Sequence, residues 1–156
     1  MAKASIQMPE DFLQAVSALA DHTDEIMPRV LEAGGKIVLA RVRGNLRGVI
    51  GKRIKYKARS IGELEAALGL SPAKLDKDGN FNVKIGFSEP RRQRDAGLNV
   101  AHGAGRGVTN AMLANIIEHG KHGQPAKPFL KPAKTASKAA CIAAMQEKLR
   151  EEIDRI

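Results

Sequence analysis

Cysteine is almost absent from this sequence, and so are aromatic side chains. With Cys141 alone in 156 residues, no internal disulfide can form, which excludes a small disulfide-stapled secreted domain. Tryptophan is missing, and Phe12, Tyr56, Phe81, Phe87 and Phe129 make up an aromatic content of only 3%. Sheet modules that grip single strands by stacking bases need exposed aromatics at close spacing, so that class is disfavoured. No run of 18 apolar residues occurs, so no membrane-spanning helix is expected. The opening MAKASIQMPEDF lacks the apolar core of a signal peptide, and an intracellular site of manufacture is the simplest expectation.

The most informative absence is of acid. Between Glu32 and Glu63 there is none, while Lys36, Arg41, Arg43, Arg47, Lys52, Arg53, Lys55, Lys57 and Arg59 supply nine positive charges. The rest of the chain is balanced, so this one stretch carries the whole net charge of +9. Nine cations could neutralise several backbone phosphates and give salt-dependent nucleic-acid binding. They could equally form a solvated helix face or a surface matched to an acidic neighbour in an assembly. No helix-turn-helix, ribbon or stacking pattern accompanies them, so base-specific readout is not indicated.

At 16.8 kDa, 43% hydrophobic and 28% charged, residues 1–156 make one folded domain of ordinary composition. Pro9, Glu10 and Asp11 suit a helix start, and Phe12, Leu13, Val16, Leu19 and Ala20 form an apolar stripe behind them. Thr23 or Asp24 can cap a second, longer helix over about 24–49, with a seam of Ile26, Val30, Ala33, Ile37, Ala40, Leu46 and Val49. Gly34 and Gly35 in its middle imply a bend or a close approach by another backbone. Alternation of Phe81, Val83, Ile85 and Phe87 after the turn signal Asp78-Gly79-Asn80 predicts a strand, paired antiparallel with one ending near Leu75. A Gly/Arg-rich stretch over 88–109 reads as a flexible loop. A helix over 110–119, stopped by Gly120, and a Pro-rich connector over 121–132 follow. The last helix runs from about Pro132, with a stripe of Ile142, Met145, Leu149, Ile153 and Ile156. Its lysines come first (Lys131, Lys134, Lys138) and its acids last, against the helix dipole, so a partner surface is expected to explain the order. The fold class is α+β: long N-terminal helices and a C-terminal helix packed on a small antiparallel sheet.

No catalytic residue, cofactor or metal ion is expected. Gly103-Ala-Gly105-Arg-Gly107 has neither the spacing nor the preceding strand of a phosphate loop. His119 and His122, with His102 upstream, lack a third ligand of fixed geometry. Ser60, Ser71 and Ser88 sit in turn or cap contexts without a nucleophile elbow, and the acids are too scattered to hold the metal ions of a nuclease. The expectation is a non-enzyme.

Two segments are more diagnostic than the charge. Asn110-Ala-Met-Leu-Ala-Asn-Ile-Ile-Glu-His-Gly120, followed by Gln124-Pro-Ala-Lys-Pro-Phe-Leu-Lys-Pro-Ala133, resembles the C-terminal pattern of the neck, or tail-completion, family of long-tailed bacteriophages and prophages. Members of that family have a helix ending in a Glu-aromatic-Gly step, then an Ala-x-Pro-Phe-Leu-x-Pro-Ala block opening the final helix. Ser60-Ile-Gly62-Glu-Leu64-Glu-Ala-Ala-Leu68 is similar to a further family segment, and His119 stands where an aromatic is common.

The resemblance implies a virion structural protein, also described as a head–tail joining or minor tail protein, made in the host cytoplasm. It implies a ring of copies of itself, hexameric, between a head-closure or connector protein and a tail terminator or tail-tube protein, with phage DNA in the channel and no membrane contact. The basic residues 36–59 would face that DNA or an acidic neighbour. The loop carrying Arg91, Arg92, Arg94 and Arg106 would order on docking. Pro128, Phe129 and Leu130 form a stiff apolar anchor, which either plugs the domain's own core or inserts into the next subunit. The other reading of the same cations is a small basic protein that binds nucleic acid without sequence preference.

Overall fold

The computed structural model describes residues 10–50, 62–89 and 109–155. Helices α1 (Glu10–Asp21) and α2 (Thr23–Val49) are separated by His22 alone. Asp24 and Glu25 favour the positive end of α2, but neither Thr23 nor Asp24 caps it. The Thr23 hydroxyl instead donates back to the Leu19 carbonyl at 2.9 Å, tying the two helices together. After a short α3 (Glu63–Ala67) come strands β1 (Leu68–Leu70), β2 (Lys74–Leu75), β3 (Phe81–Asn82) and β4 (Ile85–Phe87), then α4 (Asn110–His119) and α5 (Leu130–Ile153). Helices with small antiparallel sheets make this a mixed fold of the α+β kind. The expected loop over 88–109, apart from its ends, and the cations from Lys52 to Arg59 lie outside the described residues.

The four strands are one hairpin in two ladders. Its tip is built by Asp76, whose carboxylate accepts from the backbone N–H of Asp78 (3.0 Å) and Asn80 (2.8 Å). Leu75 pairs with Phe81 as the alternation implied, but Phe81–Phe87 is not one strand. Ser71-Pro72-Ala73 lies opposite only Val83-Lys84, and the register slips by one residue, so that Leu70 pairs with Ile85 and Leu68 with Phe87. Pro72 has no N–H to give the ladder. Ser71 bridges the gap, donating its N–H to the Lys84 carbonyl (2.7 Å) while its hydroxyl accepts the Lys84 N–H (2.9 Å).

The dominant packing is helix on helix. α2 and α5 run antiparallel, pinned at one end by Arg29–Glu152 (2.8 Å) and at the other by the Asn45 amide donating to the Phe129 carbonyl (3.1 Å). Between these pins, Gly34 and Gly35 serve neither a helix break nor a neighbouring backbone; side chains fill both positions. A methyl group on Gly34 would lie 2.5 Å from Met145 Cγ and 3.0 Å from Cys141 Sγ, and one on Gly35 would lie 2.8 Å from Leu70 Cδ1. Successive helical residues point about 100° apart, so the two glycines open adjoining notches. One admits α5 and the other admits the hairpin.

Those notches decide which face of α2 is buried. Ile26 and Val30 are buried as expected, and the seam then swings to Val42 and Leu46. Ile37 and Ala40, placed in the seam by periodicity, are exposed because the directions of Gly34 and Gly35 are the ones that meet neighbours. On α5 the buried residues are Ala133, Ser137 and Glu152. Ile142 and Ile153 are 46% and 43% exposed, so these members of the apolar stripe lie outside the seam, while Met145 meets α2 at Gly34 and the small residues Ala133 and Ser137 are buried. The main core joins Val42, Leu46, Leu64, Leu68, Ala114, Phe129 and Ala133, one or more from each of α2, α3, β1, α4 and α5.

A paired substitution in α2 tests this. Gly34→Ala gains about 1 kcal/mol of helix propensity but overfills a notch, which typically costs ~1–3 kcal/mol. Its expected net effect is a loss of about 1 kcal/mol. Gly44→Ala in the same helix meets nothing within 4 Å, and should raise stability by ~0.5–1 kcal/mol. Urea unfolding midpoints of the two variants should move in opposite directions.

Candidate functional site

The segments singled out in the last third of the sequence meet around one carboxylate. α4 starts at Thr109, whose hydroxyl accepts the Met112 N–H at 3.0 Å, and ends at Gly120 with φ of 76°. A methyl group on Gly120 would sit 2.7 Å from the Gln124 carbonyl oxygen and 2.8 Å from the Ala126 nitrogen, so only glycine fits this turn. From there the chain doubles back: Lys121 and Gln124 bridge each other, and the Lys127 N–H donates to the Ile117 carbonyl at 2.8 Å. The start of α5 is thereby laid against the last turn of α4.

Glu118 receives it. Its Oε2 accepts the N–H of Phe129 (2.7 Å) and of Leu130 (2.8 Å), and its Oε1 accepts the N–H of Lys131 (3.0 Å). An α-helix leaves four N–H groups without intrahelical partners at its start. In α5 three of them go to Glu118, and the fourth position is Pro132, which has none. The helix start is completely satisfied. Burial pushes the Glu118 carboxyl up and is the largest single influence. The three backbone donors together outweigh it and hold the carboxyl below its usual range. Lys131, Lys134 and Lys138 thus crowd a helix start whose anion comes from another helix. The charge order that opposes the dipole is offset locally by Glu118.

Phe129, anchored by this cap, is fully buried. Its ring meets Phe87 edge-on, with centroids 6.3 Å apart, in the core cluster. Of the two roles open to the Pro128-Phe129-Leu130 anchor, the first holds for Phe129: it plugs the domain's own core and is not presented to another subunit. Leu130 packs against the same cluster and Pro128 is exposed.

The cations of the basic stretch divide. Arg47 pairs with Glu65 at 2.6 Å, and Arg43 donates to the Leu68 carbonyl at 3.1 Å, so both help hold α3 and β1 to α2. Lys36 and Arg41 are exposed and carry no ion pair among the described residues. Lys52, Arg53, Lys55, Lys57 and Arg59 lie outside the described residues, as do Arg91, Arg92, Arg94 and Arg106 and the glycines from Gly103 to Gly107.

At the far end of the helix pair, Glu152 is buried among Arg29 (2.8 Å), Lys148 (3.0 Å) and Arg155 (3.1 Å). The hydrogen bond from Arg29, then that from Lys148, holds its carboxyl below the usual range. Sequence reasoning missed both Glu118 and Glu152 as structural acids. The signal for Glu118 was available: a helix opening on lysines, with no acid in its first turn, must find an anion elsewhere.

Among the described residues there is no group of three His, Cys, Asp or Glu side chains placed to hold a metal ion, and no helix is long and apolar enough to cross a membrane. Neither a protein-family model, a curated protein nor a solved structure matches the chain.

Removing the cap tests its weight. Glu118→Ala leaves buried donors without a partner and should cost about 3 kcal/mol, read as a drop in Tm. Because the folded carboxyl titrates below its unfolded value of 4.5, its contribution is present above that pH and fades as pH falls through the lower folded value. Thermal unfolding followed from about pH 7 to about pH 3 should therefore fall less steeply for Glu118→Gln than for the wild type. Equal slopes would contradict the assignment.

Proposed function

We propose that this chain is a structural protein of the neck of a long-tailed bacteriophage, joining the head connector to the tail as a ring of identical subunits. The observation that carries the reading is the interlock around Glu118. The two segments that resemble the family, 110–120 and 124–133, are a single unit here, with Glu118, Gly120, Phe129 and Pro132 each given a task by the geometry. On this reading the fold is an α+β neck domain, its long helices and C-terminal helix packed with a small antiparallel sheet. The protein works by binding and not by turnover. Its partners are further copies of itself, a head-closure or connector protein on one side, and a tail terminator or tail-tube protein on the other. It belongs to the virion and is assembled in the host cytoplasm. Head-to-tail contacts that close on themselves are how one small chain builds a ring.

The exposed Lys36 and Arg41 favour a second reading, a small basic protein that binds nucleic acid without sequence preference. Light scattering of the purified protein and negative-stain images separate the two. Closed rings with a central opening are the expected result. A protein that stays monomeric, and whose affinity for duplex DNA falls steeply with salt, would replace the neck reading with the second one.

A further inference from the structure

Antiparallel pairing of α2 with α5 sorts charge along the pair. Arg29–Glu152 marks one end, Asn45–Phe129 the other, and Gly34 against Met145 and Cys141 the middle. On one side of that middle lie residues 36–50 and 130–142, which carry seven bases and no acid. On the other side lie residues 21–35 and 143–155, with eight acids against four bases. The basic half of each helix is thus beside the basic half of its partner.

Internal pairing leaves much of this charge unspent. At the basic end, Arg47 is taken by Glu65 and Arg43 by a backbone carbonyl, while the nearby Glu118 is occupied by backbone amides. Lys36, Arg41, Lys131, Lys134 and Lys138 are exposed, with no ion pair among the described residues. At the acidic end, Glu152 and Glu151 are neutralised by Arg29, Lys148 and Arg155. Asp21, Asp24, Glu25, Glu147 and Asp154 are exposed and unpaired among the described residues. From Glu25 to Arg41 is about 24 Å along the helix axis, several times the ~8 Å screening length at physiological salt. The two ends do not neutralise each other within one molecule.

We propose that these ends are complementary docking surfaces, through which the basic half of the α2–α5 pair on one copy binds the acidic half on the next. The occupant of each end is a second copy of this chain. Nucleic acid would use the basic end and leave the unpaired acids without a purpose, whereas a head-to-tail contact uses both. Such a contact joins two different patches, so each copy binds two neighbours and the series can continue until it closes. The inference rests on the ring reading only for that closure.

Two charge-reversed variants test it. Lys36→Glu/Arg41→Glu/Lys131→Glu/Lys134→Glu/Lys138→Glu makes both ends acidic, and Asp21→Lys/Glu147→Lys/Asp154→Lys makes both basic. All eight side chains are exposed and outside the core, and circular dichroism of each variant checks that the fold is kept. In sedimentation velocity, wild-type oligomers should dissociate as salt is raised. Each variant alone should lose every species larger than the monomer, and an equimolar mixture should recover them, because every contact in it then joins unlike charges. Either variant associating alone like the wild type, or a mixture that stays monomeric, would overturn the proposal. So would a base-reversed variant that loses duplex DNA binding while its oligomers persist. Rings that survive both reversals would remove the end-to-end contact and leave the neck reading standing. Salt-sensitive open chains that never close would do the opposite.

Discussion

One carboxylate holds the C-terminal half of the molecule together. Glu118 spends both oxygens on the start of α5, and in doing so fixes where Phe129 enters the core. Phe129 touches the hairpin through Phe87 and α2 through the Asn45 amide on its carbonyl. From that point α5 can only run back along α2, over the notch at Gly34, to bring Glu152 to Arg29. Removing the cap leaves three amide groups unsatisfied and also releases Phe129, the residue that ties α4, the hairpin and α2 together. A buried acid is ordinarily a cost; here it stabilises because every lone pair it presents inward has a donor.

The surface follows from the same arrangement. With its dipole answered by Glu118, the first half of α5 is free to carry lysines, and they come to lie beside the acid-free half of α2. A charge pattern that looks like disorder along one helix becomes ordered across two. Salt will weaken any contact built on it, and apolar burial adds what the exposed Ile37 and Ile142 can contribute.

Much of the fold was legible in the sequence, and the misses have physical causes. Helix α2 was read within a residue of its bounds, because a long apolar period between an acidic start and a basic end leaves little ambiguity. The seam of α5 was read only in part: spacing finds Met145, which meets Gly34, together with the exposed Ile142 and Ile153, but small residues such as Ala133 and Ser137 are what allow a second helix close. Pro72 marked the interruption of the hairpin, yet the interruption falls opposite Val83-Lys84, where alternation alone sees a continuous strand. The lysine-first start of α5 called for an anion, but not for Glu118 by name, because its contacts lie 11 to 13 residues away, outside any helical or strand period. Of the candidate site residues, those that could be placed proved partly structural: Arg43, Arg47 and Phe129 serve the fold, and Lys36 and Arg41 are exposed with no ion pair among the described residues.

The short span between Glu118 and Phe129 also bears on how the chain gets there. Closing that loop of about a dozen residues costs roughly 2 kcal/mol less chain entropy than closing the one between Arg29 and Glu152, which are 123 residues apart. The most demanding polar cluster in the protein is therefore also among its cheapest tertiary contacts to reach. Once it has formed, α5 leaves it already aimed, and the long-range pairing with α2 becomes the docking of a preset helix instead of a search by a free one.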